Sequence, residues 1–112
     1  MNKPMRASAE TLLFKTLADP TRRALFERLS REGELTVGAL TRRAGVSQPA
    51  VSQHLEALRQ AGLVRNRREG RTAHYRVTPR GLAPLTNWLA LYSVFWRQRF
   101  DQLEKLLKEM DQ

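Results

Sequence analysis

Cysteine is absent from this sequence of 112 residues, and histidine occurs only at His54 and His74. The lack of thiols excludes disulfides, thiolate metal sites and thiol-based redox sensing. Neither histidine has a companion at ligand spacing, whereas a metal site needs three or four converging nitrogen, sulfur or oxygen donors. We therefore predict a protein that binds no metal and no cofactor.

Long apolar runs and catalytic groupings are missing as well. No apolar stretch reaches the ~20 residues of a membrane span, and the N-terminus lacks the apolar core of a signal peptide. Nothing in the sequence assembles a nucleophile with a base, paired carboxylates or a glycine-rich phosphate loop. The sequence thus predicts a cytoplasmic protein that is not an enzyme and has no membrane contact. Its length suits a single domain over residues 1–112.

Positive charge is concentrated in the middle of the chain. The sequence has 20 basic residues, 16 of them arginines, against 11 acidic residues, and its net charge is +9. Residues 42–80 carry nine basic and two acidic residues, and so account for +7 of that excess. Because a guanidinium group binds phosphate through a bidentate fork, this block indicates a phosphate-bearing partner such as nucleic acid.

Capping residues and apolar spacing predict four helices in the first half of the chain. Their N-terminal caps are predicted at Ser8, Asp19, Thr36 and Ser47. The last three of these helices are predicted to end at glycines, before Gly33, at Gly45 and at Gly62. Each segment between a cap and its end carries apolar residues at helical spacing.

Beyond Gly62 the apolar period changes from helical to alternating. Residues 63–68 and 72–78 read as two strands around a turn that contains Gly70, which is a β-hairpin. Thr78-Pro79 then repeats the cap-and-proline signature and predicts a last helix of about 30 residues, ~45 Å long. The predicted fold is mostly α with a small β-hairpin, in the order of four helices, two strands and one helix.

The third and fourth predicted helices and the basic hairpin together indicate a winged helix-turn-helix. The fourth helix turns Val51, Leu55 and Leu58 to the core, so its opposite face can enter a DNA major groove. Glutamine pairs bidentately with adenine, and serine bonds to bases or phosphates. The candidate DNA-binding residues of this recognition helix are Ser47, Gln48, Pro49, Ser52, Gln53 and His54. His54 is interpreted as helix packing or a phosphate contact.

The hairpin predicts a DNA-binding wing. Arg67, Arg68 and Arg71 cluster at its tip, where they suit phosphate or minor-groove contacts beside the recognition helix. Tyr75 is interpreted as hairpin packing rather than as a base-stacking platform. We therefore expect a DNA-binding core over residues 8–80, with double-stranded DNA as its partner.

The last helix, residues 79–112, carries an apolar seam that predicts a homodimer. Its spacings of three and four are interrupted only at Arg99. The predicted dimerisation residues are Leu85, Leu89, Tyr92, Trp96, Leu103 and Leu106. A stripe this wide suits two partners, the chain's own first helices and a second subunit. Packing within the chain alone, or an effector pocket lined by the aromatic residues, remain alternatives.

The chain resembles the ArsR family of bacterial winged-helix regulators over roughly residues 10–80. The resemblance is carried by LADPTRRALFERL at 17–29, LTVGAL at 35–40, GVSQPAVSQHLEALRQAGLV at 45–64 and REGRTAHYRVT at 68–78. It implies a symmetric dimer that binds an inverted repeat near promoters, usually as a repressor. It also implies that Gln48, Pro49, Ser52 and Gln53 are the recognition positions.

The departures from the family concern metal sensing. Metal-sensing members carry two cysteines in the third-helix motif, where this chain has Thr36 and Gly38. The aromatic last helix is more similar to the SdpR-like branch, and the sequence names no small-molecule effector. Two alternatives to a sequence-specific repressor stay open, a non-specific nucleic-acid-binding protein and a winged-helix protein-interaction module.

Overall fold

A computed structural model describes residues 8–111, which form five helices and three strands. The helices are α1 Ala9–Ala18, α2 Pro20–Glu32, α3 Val37–Thr41, α4 Gln48–Gln60 and α5 Ala83–Met110. The strands are β1 Leu35–Thr36, β2 Val64–Glu69 and β3 Thr72–Val77. The predicted class, mostly helical with a hairpin and a long last helix, is confirmed. The chain separates into two compact units, one ending at Leu82 and one beginning at Ala83.

All four N-caps predicted in the first half of the chain form the expected hydrogen bond. Each cap side chain accepts from the backbone N–H three residues later, which satisfies one of the unpaired donors at a helix start. The N···O distances are 3.2 Å at Ser8, 2.9 Å at Asp19, 3.0 Å at Thr36 and 3.3 Å at Ser47. At Asp19 the N–H of Arg22 is the main reason why the pKa of the carboxyl lies below its ordinary value.

Helix α3 is shorter than predicted. It ends at Thr41 rather than at Gly45, because Arg42 already has extended backbone with φ −64° and ψ 128°. The chain then turns through two residues of positive φ, Arg43 at 69° and Gly45 at 74°. The prediction placed the end at the glycine, whereas an arginine takes the first left-handed position of this turn.

Helix α5 begins later than predicted, at Ala83 instead of Pro79. Residues 78–82 form a turn in which the Gly81 N–H donates to the Thr78 carbonyl oxygen at 2.9 Å. The Thr78 N–H in turn donates to the Leu63 carbonyl oxygen, also at 2.9 Å. A Cβ on Gly81 would lie 2.8 Å from the Gly62 carbonyl oxygen, so only glycine fits this turn against the start of the hairpin.

The hairpin belongs to a sheet of three antiparallel strands, in the order β1-β3-β2. Leu35 and Thr36 of β1 pair with Tyr75 and His74 of β3. Strand β1 escaped prediction because two residues are too few to show an alternating period. The hairpin itself turns at Gly70, whose φ of 62° suits the tight primed turns that join twisted strands.

The core of the first unit lies between α1, α2, α3, α4 and the sheet. The predicted stripe of α4, Val51, Leu55 and Leu58, is completely buried. Tyr75 is also buried, which confirms its interpretation as packing. The other buried apolar residues are Leu13, Leu25, Phe26, Leu29, Leu40, Leu63 and Val64.

Helix α5 has 28 residues, and none of them is buried in the single chain. Many of its large apolar side chains are exposed, Leu89, Leu91, Tyr92, Val94, Phe95, Trp96, Phe100, Leu103, Leu106, Leu107 and Met110. Among residues 8–111, no helix is both long and apolar enough to cross a membrane.

Replacing Gly81 by alanine should destabilise the fold by about 1–3 kcal/mol, because the new Cβ overlaps backbone atoms that cannot move aside easily. Urea unfolding followed by circular dichroism measures the change. Gly38→Ala is the matched control, since its Cβ would meet only the Thr36 Oγ1 at 3.9 Å. A Gly81→Ala protein as stable as the Gly38→Ala protein would contradict the close approach.

Candidate nucleic-acid interface

An open groove of about 560 Å³ runs between the outer face of α4 and the hairpin. Helix α4 contributes Gln48, Ser52 and Glu56 to its walls, and the hairpin contributes Arg68 and Arg71. Polar side chains able to read base edges therefore share one surface with two arginines. This surface, with the exposed first turn of α4, is called the groove face below.

The predicted recognition residues differ in how exposed their side chains are and in whether those side chains have another role. Gln48, Pro49, Ser52 and Gln53 are exposed, because the buried stripe of α4 turns them outward. Ser47 is exposed too, but its Oγ caps the helix. His54 is only half-buried, and its Nδ1 is shielded from solvent. The structure therefore brings Gln48 and Ser52 into the groove and places His54 towards the packed side of the helix.

The hairpin has two faces of different electrostatic character. Side chains alternate along a strand, so Arg68 and its cross-strand neighbour Ala73 lie on the groove face with Tyr75. Arg67 and its neighbour His74 point to the other side, which is called the back face. Two adjacent arginines that the sequence assigned to one DNA-binding wing thus lie on opposite surfaces.

On the back face Arg67 is held by two carboxylates. Its Nε and Nη2 donate to Glu34 at 3.0 and 2.8 Å, in a bidentate pair, and its Nη1 donates to Glu69 at 3.0 Å. The ring nitrogens of His74 lie 3.9 Å from a Glu34 oxygen and 3.8 Å from a Glu69 oxygen. Glu34 directly precedes β1, so this cluster connects the hairpin to β1.

The pKa shifts agree with this geometry. The hydrogen bond from Arg67 is the main reason why the pKa of the Glu34 carboxyl lies below its ordinary value of 4.5. The same hydrogen bond, with a second to Glu69, raises the pKa of the Arg67 guanidinium. Sequence reasoning missed Glu34 because it lies 33 residues from its partner, and only the pairing of β1 with β3 brings the two together.

Arg68 and Arg71 on the groove face have no ion-pair partner among residues 8–111. Glu56, the acid that lines the groove, is hydrogen-bonded to Arg59 and Gln60. The Arg59 hydrogen bonds are the main reason why the pKa of the Glu56 carboxyl is lowered. The groove therefore offers two uncompensated guanidinium groups, and its carboxylate is already paired. Such a surface attracts an anionic ligand.

A metal centre is not indicated in the part of the chain that the structure describes. Within residues 8–111 no three His, Asp or Glu side chains come together in a way that could hold an ion. Thr36 and Gly38 stand at the start of α3, where Thr36 serves as the cap.

The predicted dimerisation residues lie on the exposed apolar face of α5. Leu85 is half-buried, and the exposed fractions of the others run from 44% at Tyr92 to 57% at Leu89. Aromatic rings cover the middle of this face, where Phe95 and Trp96 meet edge to face with centroids 5.5 Å apart. Arg99, the residue that interrupts the seam, places its guanidinium 4.8 Å from the centre of the Phe95 ring. That cation–π contact makes a charged residue compatible with the apolar stripe.

Comparisons with known proteins agree on one kind of fold and role. A family described as a helix-turn-helix domain matches residues 17–67. The biofilm growth-associated repressor of Xylella fastidiosa is 42% identical over 93 residues, which cover 83% of this chain and 79% of that protein. A crystal structure of an ArsR family transcriptional regulator superimposes with a TM-score of 0.73 at 31% identity, covering 80% of this chain and 98% of the other.

Some relatives are longer than the region they share with this chain. The arsenic resistance transcriptional regulator ArsR1 of Pseudomonas putida is 46% identical over 68 residues, which cover 61% of this chain. This chain therefore matches about half of the length of ArsR1, 53% of it.

Arg67→Ala should lower stability at neutral pH and much less in acid. The lowered pKa means that the Glu34 carboxylate contributes stability above pH 4.5, and this contribution is lost as pH falls through the folded-state pKa. The difference in urea midpoint between wild type and Arg67→Ala should therefore shrink between pH 7 and about pH 3. Arg68→Ala, on the opposite face, is the control, and its difference in urea midpoint from the wild type should not shrink as the pH falls. A constant Arg67→Ala difference across this range would contradict the ion pair.

Proposed function

Because the chain belongs to the ArsR family of winged-helix transcriptional regulators, we propose that it represses transcription by binding an inverted-repeat operator as a homodimer. The observation that carries the proposal is the groove face, where Gln48 and Ser52 stand beside the uncompensated Arg68 and Arg71. The glutamine and serine side chains match the base edges of a DNA duplex, and the two guanidinium groups match its phosphates.

The first turns of α4 are the element that reads bases. A B-DNA major groove admits one α-helix, and glutamine side chains pair with adenine through two hydrogen bonds. Gln48 and Gln53 are exposed on α4, and Ser52 lies between them on the same outer face. Their helix is held to the protein by the opposite, buried face, so the reading side chains have a rigid support.

The hairpin supplies phosphate contacts beside the helix. Arg68 and Arg71 have no acidic partner among the described residues, so DNA phosphates would not compete with an internal carboxylate for them. Phosphate contacts add affinity and orient the protein without reading sequence. Arg67 has a different role in this proposal, because Glu34 and Glu69 already hold it on the back face.

The exposed face of α5 is the proposed dimer seam. Apolar and aromatic side chains recur there at spacings of three and four over most of a 28-residue helix. A stripe of this kind on a helix is stable in water only when another surface covers it, and a second copy offers the same stripe. Two linked recognition helices would fit half-sites about 10 base pairs apart on one side of the duplex.

Selection from a random duplex pool tests the proposed function. The full chain should enrich an inverted repeat with half-sites about 10 base pairs apart and bind it far more tightly than random duplex. Steep salt dependence on every duplex without enrichment would instead identify a non-specific nucleic-acid binder. The absence of any duplex binding would favour a protein-interaction module.

Arg68→Ala should weaken binding to the selected and the random duplex by the same factor. Loss of one phosphate contact should also reduce the slope of log K against log salt by about 0.9. Arg67→Ala is the matched control, because it removes the same charge one residue away on the back face. Titrations at two salt concentrations measure both slopes. If Arg67→Ala reduced the slope as much as Arg68→Ala, the assignment of the two faces would be wrong.

Gln53→Ala should weaken DNA binding in a way that depends on the sequence of the duplex, unlike Arg68→Ala. Because it removes a base contact, we expect a loss of about 1–3 kcal/mol on the selected sequence and almost none on random duplex. The same titrations measure it. An equal loss on both duplexes would mean that Gln53 does not read bases.

Trp96→Ala should abolish tight DNA binding without touching a DNA-facing residue, because each half-site alone binds weakly. Sedimentation equilibrium should show dissociation of the dimer in the same variant. Val94→Ala is the control, since Val94 is also exposed but lies about 200° around the helix from Trp96. Unchanged association in Trp96→Ala would count against the seam.

A further inference from the structure

One arginine of α2 holds the turn between α3 and α4. The Arg28 Nη1 donates hydrogen bonds to the carbonyl oxygens of Arg42, at 2.9 Å, and Leu40, at 3.4 Å. Its Nε donates to the Glu32 carboxylate at 2.9 Å. The Arg28 side chain is only 17% exposed, whereas that of Arg31 on the same helix is 69% exposed. Arg28 is thus a partly buried clamp rather than a solvated surface charge.

The turn needs support because its backbone is strained. Arg43 is the one non-glycine residue with positive φ within residues 8–111, and the left-handed conformation is unfavourable for a residue that has a Cβ. The last carbonyl groups of a helix also have no donor within the helix. Arg28 supplies a donor to carbonyl oxygens on both sides of Thr41, where α3 ends.

Side-chain packing alone does not fill the space behind this turn. A cavity of about 70 Å³ lies there, with Leu25 and Arg28 of α2 on one side and Leu40, Arg43 and Ala44 on the other. Once the Arg28 hydrogen bonds are removed, the turn has room to shift. The Arg28 hydrogen bonds therefore help to define the position of the turn, beside the buried Leu40 side chain at the end of α3.

The position of the turn bears directly on the first turn of α4. The core holds α4 from Val51 onward, since Val51 is the first fully buried residue of the helix. Gln48 lies before Val51 and only a few residues after Arg43, so its placement depends on the turn as much as on the core. A contact to a base edge requires placement within a fraction of a hydrogen-bond length.

We infer that Arg28 is a positioning residue for sequence reading, which sets specificity by holding the turn of residues 42–46 without contacting DNA. The inference rests on the proposed function, because it concerns how the recognition helix of that function is aimed. A positioning role and a purely structural role differ in which duplexes they affect. A structural role lowers binding to every duplex through the folded fraction, whereas a positioning role lowers binding to the cognate sequence alone.

The test compares Arg28→Met with Arg31→Met in the full chain. Both variants remove one positive charge from α2, and within residues 8–111 Arg31 makes only an exposed ion pair with Glu27 at 4.0 Å. We expect Arg28→Met to reduce affinity for the selected duplex about tenfold, the cost of one lost base contact, and to leave random-duplex affinity nearly unchanged. Arg31→Met should leave the ratio of the two affinities as in the wild type. Urea unfolding of each variant gives the folded fraction at the assay temperature.

Two milder variants keep the test decisive if Arg28→Met does not fold. Glu32→Gln leaves Arg28 in place but weakens the group that orients its Nε, and it should lower the affinity ratio in the same direction. Arg28→Lys keeps the charge but offers a single donor nitrogen in place of the guanidinium fork, and it should restore part of the ratio. Equal losses on both duplexes, or an unchanged ratio in all of these variants, would overturn the inference. Failure of the wild type to discriminate between duplexes would overturn the proposed function and the inference with it.

Discussion

Burial of one face of α4 is the constraint on which the rest of the interface depends. Val51, Leu55 and Leu58 are completely removed from solvent, and burying each such side chain contributes ~1.5–3 kcal/mol. Because the helix cannot rotate without exposing this stripe, the opposite face must point outward. Ser52 and Gln53 are presented to solvent for this reason, whereas the placement of Gln48, which precedes the buried stripe, also involves the turn before α4.

The sheet divides the positive charge of the chain between two surfaces. Pairing of β1 with β3 brings Glu34 to the back face, where it and Glu69 compensate Arg67. Arg68, one residue further along β2, lies on the groove face without an acid. The uncompensated guanidinium groups of the hairpin therefore include Arg68 and Arg71, which lie beside the exposed face of α4. A short strand with no apparent function in the sequence thus decides which arginine can bind an anion.

The sequence was sufficient for the elements that depend on local interactions. Caps at Asp19 and Ser47, the buried stripe of α4 and the hairpin were predicted because each follows from residues within one turn or one tight loop. Strand β1, the Glu34–Arg67 pair and the Arg28 clamp were missed because their partners lie 12–40 residues away in the chain. The late start of α5 has the same cause, since Gly81 is restricted by the backbone at Gly62.

The candidate site residues also divide into those that local sequence patterns locate and those that only the fold brings together. Local periodicity identified the outer face of α4, whereas adjacency in sequence suggested that Arg67 and Arg68 act together. Alternation along a strand places neighbours on opposite faces, so three neighbouring arginines at a hairpin tip cannot share one role. Strand register, which residue composition does not reveal, therefore determines which arginines of this wing face the groove.

Observation of the arginine side chains during DNA binding tests the central claim most directly. In a titration of the ¹⁵N-labelled protein with its selected duplex, the Nε–H signals of Arg68 and Arg71 should shift strongly. The signal of Arg67 should stay near its starting position, because its partners Glu34 and Glu69 are unchanged. A shift of Arg67 as large as that of Arg68, or unmoved Arg68 and Arg71 signals at saturation, would contradict the assignment of the groove face to DNA.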